Sequence, residues 1–306
     1  MAKKPGDMVS GASALDWFDE HPGQFSIFGS SKGQSWQVEA DTPRVLASAQ
    51  KIHVFAALLE LARLDPELFQ TTVRIEELRR HHLPGTDTGA YERALLAGGI
   101  SLEADGTRSV TVSQLATQML YYSSNAAADA LADLIQRRDL ELMLTSSLPP
   151  RMRQQFLVAF DARPDGPRAL ASAERRGMLT YQNTTRYLSE LMTRVLVMRE
   201  YSPGKDAVRF LPYLAGQGER GIRGKRGQLP GFRAGVLVRR TTDGAPVVGA
   251  YAITDESFGV VGDRTSRAVE AAAMGLAAGL IDSPVLQRGA VLEGEVGAWQ
   301  REIDKA

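Results

Sequence analysis

No cysteine occurs among the 306 residues, so disulfides, thiolate metal sites and cysteine nucleophiles are excluded. Histidine is scarce as well, with His21, His53, His81 and His82 the full set, too few for a histidine-rich metal centre. Neither sign of charge is in excess, because Lys plus Arg and Asp plus Glu each number 36; nothing global recruits nucleic acid or a membrane surface. No apolar run is long enough to span a bilayer, and the opening Met1-Ala2-Lys3-Lys4-Pro5-Gly6-Asp7 lacks the apolar core of a secretory signal. The expectation is a cytoplasmic protein, or a secreted one if a leader has been removed. An apolar fraction of 43% and a charged fraction of 24% belong to an ordinary globular chain, long enough for one large domain or two lobes.

What is present alternates between strands and helices. A short helix is expected around Ala14–Asp19. Phe25–Phe28 and Trp36–Glu39 then read as an antiparallel hairpin with one buried face, separated by Gly29-Ser30-Ser31-Lys32-Gly33. Ser48-Ala49-Gln50-Lys51 opens an apolar helix whose stripe is Ile52, Phe55, Ala56 and Leu59, ended by Leu64-Asp65-Pro66. A charged helical piece near Glu76–His81 precedes the loop Leu83-Pro84-Gly85-Thr86-Asp87-Thr88-Gly89. The adjacent His81 and His82 point to different sides of a helix and read as solvated or capping residues. Thr111-Val112-Ser113-Gln114 has the residue types of a capping box, which starts a helix near 112. That helix ends in Tyr121-Tyr122-Ser123-Ser124-Asn125, and the next runs from Ala126 to about Ile135.

From Leu140 to Thr180 the pattern is weak, with an amphipathic piece around Phe156–Phe160 and a loop at Pro164–Pro167. Thr184-Thr185 begins another helix, closed by Ser202-Pro203-Gly204. Lys225-Arg226-Gly227 leads into Ala234–Val238, and Thr241-Thr242-Asp243-Gly244 turns the chain into Pro246–Ile253, a strong hairpin signal. An alanine-rich helix spans about Arg264–Ile281. Beyond Pro284 lies an appended helix or a loose tail.

Ser48 and Lys51, three residues apart at a helix start, share one face about a turn apart and place a nucleophile beside a possible base. The turn at Ser123 and Asn125 either holds polar side chains over a cleft or merely stops one helix and caps the next. Together, Ser48-x-x-Lys51, Ser123-x-Asn125 and Lys225-x-Gly227 stand in a telling order, on a helix start, a helix-to-helix turn and a strand beside a hairpin.

This chain resembles the superfamily of serine β-lactamases and D-Ala-D-Ala peptidases, whose signatures are Ser-x-x-Lys, Ser-Asp-Asn and Lys-Thr-Gly, and is most similar to class A. The resemblance covers about residues 25–281, including Thr-Val-x-x-Leu before the second motif, the Ala-Ala run after it and Thr184-Thr185. It implies an α+β fold, with an antiparallel five-stranded sheet flanked by helices and a mostly helical lobe inserted between the N- and C-terminal sheet segments. The expected division is 20–45 with 220–285 for the sheet lobe, 46–219 for the helical lobe and 286–306 for a C-terminal extension. It also implies an oxyanion hole formed by the backbone N–H groups of Ser48 and Gln228.

The residues suggest a matching chemistry. Ser48 attacks an amide or ester carbonyl, Lys51 takes its proton, and Ser123 passes a proton to the leaving group between Lys51 and Lys225. Asn125 offers a carboxamide to a substrate amide. Lys225 and Arg226 attract a carboxylate, so a small anionic lactam, amide or ester is the expected substrate; no cofactor, nucleic acid or membrane is called for.

Three departures from the family pattern stand out. Ser124 replaces an aspartate, and Arg226 replaces the threonine of the third motif. The Glu-x-x-Leu-Asn segment that supplies the deacylating glutamate of class A is missing between Ser123 and Thr184, where Asp161, Asp165 and Glu174 sit in the wrong context. Residues 81–109 form an insertion in which Tyr91 or the Gly-rich loop either reshapes specificity or is a tolerated surface feature. The functions that follow are a β-lactamase-like hydrolase, an esterase or amidase of antibiotic or secondary metabolism, and a catalytically silent binding protein of the same fold.

Overall fold

The computed structural model describes residues 11–102, 108–138, 151–153, 181–198, 207–216, 221–258 and 264–290. After α1 (Gly11–Glu20) the chain forms β1 (Phe25–Ser31) and β2 (Gln34–Val38). The hairpin turn is only Lys32-Gly33, both with positive φ, 49° and 71°, which matches the twist of the paired strands. Gly29-Ser30-Ser31 therefore continues the strand instead of turning it. Gly29 lies opposite Trp36, where a Cβ would come within 2.3 Å of the indole; a close approach, and no turn, demands glycine there. β1 is buried on both faces, more than the half-buried hairpin expected.

β3 (Arg44–Val45) leads into α2 (Lys51–Leu64), then β4 (Thr72–Arg74), α3 (Ile75–Arg80) and α4 (Ala90–Ala97) follow. β5 (Ser109–Thr111) pairs with β4 and delivers α5 (Val112–Thr117). The capping box is formed: Gln114 N donates to Thr111 Oγ1 at 3.1 Å, and Thr111 N to Gln114 Oε1 at 2.8 Å, satisfying two N–H groups that the helix cannot. A π turn, Gln118–Tyr122, joins it to α6 (Asn125–Arg138). β6 (Gln182–Asn183) pairs with β3, and α7 (Thr185–Val197) starts with Thr184 Oγ1 accepting from Tyr187 N.

Last come β7 (Tyr213–Ala215), β8 (Ile222–Leu229), β9 (Phe232–Arg240), β10 (Pro246–Thr254), α8 (Arg264–Ala277) and β11 (Gln287–Ala290). The main sheet is antiparallel, in the order β11-β2-β1-β10-β9-β8-β7. Among the described residues it has seven strands, not the five expected: β7 and β11 are short edge strands with too few residues for alternation to register. Residues 287–290 are thus neither helix nor loose tail. The pieces expected at Phe156–Phe160, Pro164–Pro167 and Ser202–Gly204 lie outside the described residues.

α1 and α8 cover one face of the sheet, and α7 covers the other with α2 and α6 behind it. Ala234, Val236 and Val238 accordingly join the core on the α2 side while Leu237 joins the α8 side, as alternation requires of a doubly covered strand. α2 is buried from Lys51 through Leu59, all round and not along a stripe. Full burial of Phe55, Leu58 or Leu59 is worth about 1.5–3 kcal/mol each relative to exposure. That helix is the fixed post on which the polar cluster below is mounted.

Candidate active site

Ser48 sits in a 3-10 turn, Ala47–Gln50, immediately before α2, so the α-helix starts at Lys51, one turn later than the expected start at Ser48. In a 3-10 turn residues i and i+3 eclipse, so Lys51 stands over Ser48 and its Nζ donates to Ser48 Oγ at 3.1 Å. Ala47 enters the turn with φ 45° while buried, a left-handed backbone that a non-glycine residue adopts at a cost of about 1–3 kcal/mol.

Lys51 is almost wholly buried. Its Nζ also contacts Ser123 O at 2.5 Å, Asn125 Oδ1 at 2.7 Å and Ser123 Oγ at 3.2 Å. Burial lowers its pKa to about 7, opposed by the negative charges of Asp87 and Asp129. An amine of that pKa beside a hydroxyl has the properties of a general base at neutral pH.

The turn between α5 and α6 brings Ser123 in with φ 70°. Ser124 Oγ accepts from Ala127 N at 3.3 Å and so caps α6, but Ser123 and Asn125 point into the cluster. Both ends of the Asn125 carboxamide are engaged, Oδ1 by Lys51 and Nδ2 by Thr86 O at 3.3 Å. It thereby orients Lys51 and pins the 86–88 loop, beyond the substrate contact expected of it. Asp129, one turn further along α6 on the same face, accepts from Met152 N and Arg153 N, each at 2.7 Å. Burial raises its pKa to about 6 against those two hydrogen bonds.

The fourth component comes from β8. Lys225 Nζ donates to Ser123 Oγ at 2.9 Å and to Arg226 O at 3.0 Å. Burial, then the positive charges of Lys51 and Arg226, push its pKa well below the usual lysine range. β7 pairs only with the start of β8, at Ile222 and Arg223, and Gly224 N donates to Pro212 O on that side. Strand alternation puts the Gln228 N–H on the same edge, where no strand among the described residues covers it. Gly227 presses that edge onto the Ser48 turn: a Cβ there would lie 2.2 Å from Leu46 O, 2.6 Å from Ala49 N and 2.7 Å from Ser48 N. Ser48 N and the free edge of β8 are neighbours for that reason. Beneath, the Gln228 side chain donates to the buried Glu270 at 3.1 Å, and Tyr251 OH donates to the same carboxylate at 2.9 Å.

All of this opens into a cleft of about 430 Å³ lined by Ser48, Ser123, Asn125, Lys225, Arg226 and Gln228 along with Gln50, Met152 and the 86–88 loop. The model of the Beta-lactamase enzyme family matches residues 12–273. The chain belongs to that family. Among solved structures, a β-lactamase from Sphaerobacter thermophilus is 17% identical, with 90% of this chain and 98% of that one covered at a TM-score of 0.58. A class A β-lactamase from Mycobacterium abscessus is 18% identical, with 86% and 96% covered at 0.55. A mutant of PBP-A in acyl-enzyme complex with penicillin G is 13% identical, with 87% and 94% covered at 0.55. At these identities the likeness is one of fold. No curated protein matches the chain.

In this β-lactamase-fold chain Ser48, Ser123, Asn125, Lys225, Arg226 and Gln228 line the cleft, Lys51 lies buried behind it against Ser48 and Ser123, and Gly227 packs against the Ser48 turn. Two other expectations fare differently. Tyr91 is buried and stacks on His82 at 4.1 Å, so the insertion reaches the cleft through Thr86, Asp87, Thr88 and Arg93 instead. His81 is the C-cap residue of α3, one of the two roles expected, but both histidines are largely turned from solvent and face Asp133 and Glu92, each at 3.3 Å. Asp161, Asp165 and Glu174 lie outside the described residues.

Sequence reasoning missed Asp129, although its i+4 spacing from Asn125 was a usable signal. It also missed Gln50 and Met152. Gln50 Nε2 donates to Met152 Sδ at 2.8 Å, and its buried Oε1 has no donor among the described residues. Nothing in the sequence links those two.

Proposed function

We propose that this chain is a serine hydrolase that forms an acyl-enzyme on Ser48 with a small anionic lactam, amide or ester. The observation that carries the reading is the convergence of two pKa-depressed lysines on one serine, with Lys51 also 3.1 Å from Ser48 Oγ. Neutral Lys51 accepts the Ser48 hydroxyl proton as Oγ bonds to the carbonyl carbon. The resulting oxyanion lies between Ser48 N–H and Gln228 N–H, donors fixed in place before reaction. Collapse breaks the bond to the leaving nitrogen or oxygen. That atom takes a proton from Ser123 Oγ, which recovers one from the Lys51 ammonium. Lys225 keeps Ser123 oriented, and Arg226 at the rim attracts a carboxylate on the leaving side.

Water must then break the ester. Of the described residues lining the cleft, Asp87 is the one carboxylate, and it already accepts from Ala90 N and Tyr91 N at 3.2 Å and Asn125 N at 3.4 Å. This favours acylation that outpaces hydrolysis. Mass spectrometry of the protein incubated with penicillin G tests the proposal. A mass increase equal to the intact penicillin, mapped to Ser48 and absent from Ser48→Ala, is expected; modification elsewhere, or an unchanged rate in Ser48→Ala, would falsify it.

A further inference from the structure

Among the described residues the cleft lining holds two guanidinium groups, Arg93 and Arg226. Elsewhere on the surface, arginines such as Arg80, Arg137, Arg138 and Arg186 are paired with Glu76, Glu77, Asp65 and Asp41. The two in the cleft have no carboxylate partner among the described residues. Among the described residues Arg93 donates once, from Nη1 to Thr88 O at 2.7 Å, which aims the side chain and leaves most of its five donors without a partner there. Arg226 is exposed, and its guanidinium makes no hydrogen bond or ion pair among the described residues.

Their positions follow from the hydrogen bonds already described. Arg226 adjoins Lys225, which reaches Ser123. Ser123 and Ser48 meet at Lys51, Lys51 reaches Asn125 Oδ1, and Asn125 Nδ2 reaches Thr86 O. The loop from Thr86 to Thr88 then ends on Arg93. Arg226 and Arg93 thus mark opposite ends of this chain of contacts, with Ser48 and Lys51 between them. Asp87, the acid nearest Arg93 in the lining, is occupied by three backbone N–H donors.

We propose that Arg93 is a second anion subsite, on the acyl side of the scissile bond, so that the substrate is a dianion bearing one carboxylate on the leaving side and another on the acyl side chain. This rests on the acyl-enzyme reading of Ser48. Arg226 takes the leaving-side carboxylate and Arg93 the acyl-side one, each through a planar fork suited to a carboxylate. The 81–109 insertion then has a role: it carries the arginine that distinguishes dianions from monoanions.

Benzylpenicillin and its α-carboxybenzyl analogue differ by one carboxylate on the acyl side chain and serve as the probe pair. The rate of adduct formation on Ser48 is followed by mass spectrometry for both, and their equilibrium binding to Ser48→Ala by calorimetry. A preference for the dianion of about five- to tenfold is expected in both measurements. Arg93→Ala brings the ratio of the two compounds close to one, Arg93→Lys restores part of it, and Arg226→Ala weakens both compounds together. Equal binding of the two compounds, or a preference that survives in Arg93→Ala, overturns the subsite. A Ser48→Ala protein that keeps the Arg93-dependent preference while wild type gains no adduct overturns the acyl-enzyme and leaves the subsite standing.

Discussion

Lys51 Nζ lies 3.1 Å from Ser48 Oγ on a side chain with almost no exposure to solvent. Burial disfavours the ammonium form, so the neutral amine accumulates as pH rises through about 7. The acylation rate should therefore climb with pH, with a midpoint near 7, and level off above it. Asp129 raises the Lys51 pKa by its charge, so Asp129→Asn, which keeps an acceptor oxygen, is expected to move the midpoint to lower pH. Lys51→Ala should slow acylation by about 10²–10⁴. Stopped-flow acylation across pH 5–9 reads all three.

Gly227→Ala is expected to cost both stability and acylation. The new methyl would meet backbone atoms of Leu46, Ser48 and Ala49 at 2.2–2.7 Å, none of which is a side chain able to swing away. Overpacking of this kind costs about 1–3 kcal/mol, and it would also part the β8 edge from Ser48 N. Acylation falling while Tm drops by several degrees is the expected pair of results. A variant with normal kinetics would show that Gln228 N–H and Ser48 N–H need not be neighbours.

Met152 lines the cleft with Ser48 and rests on Gln50, whose Oε1 lacks a donor among the described residues. A carboxylate at this position would supply a base for water on the Gln50 side of the ester. Met152→Glu should shorten the lifetime of the penicillin adduct about tenfold or more, while acylation changes much less. The decay of the adduct mass after removal of excess penicillin measures it.

Tyr251→Phe should separate stability from chemistry. The ring crosses Gly235, where a Cβ would sit 2.6 Å from it, to place its hydroxyl on Glu270. Removing that donor leaves a buried carboxylate oxygen short of a partner, at a cost of about 1–3 kcal/mol. Thermal unfolding should show a loss of roughly 2–4 °C per kcal/mol, with the acylation rate falling modestly through the Gln228 contact.

Much of the site was legible because the three motifs are local. Ser48 and Lys51 are one turn apart, Ser123 and Asn125 share a turn, and Lys225 and Gly227 share a strand. The structure adds the distances that join them. Harder to see were elements without periodicity: β7 and β11 are held by pairing with β8 and β2, not by their own sequence. The Gln50–Met152 contact is equally silent, since a long-range hydrogen bond to sulfur leaves no pattern in either segment. Glycine was misleading once. Gly29 suggested a turn, and only the Trp36 ring lying against it explains why a strand needs it.

The pairing of β1 with β10 joins Phe25 to Ile253, residues from opposite ends of the chain. During synthesis at about 5–20 residues per second, the first hairpin leaves the ribosome on the order of tens of seconds before its sheet neighbour exists. β1, buried on both faces in the folded sheet, must spend that interval without its cover. The protein is therefore expected to depend on holding chaperones at low rates of translation, and a reordered chain that makes this hairpin last should fold with less loss to aggregation.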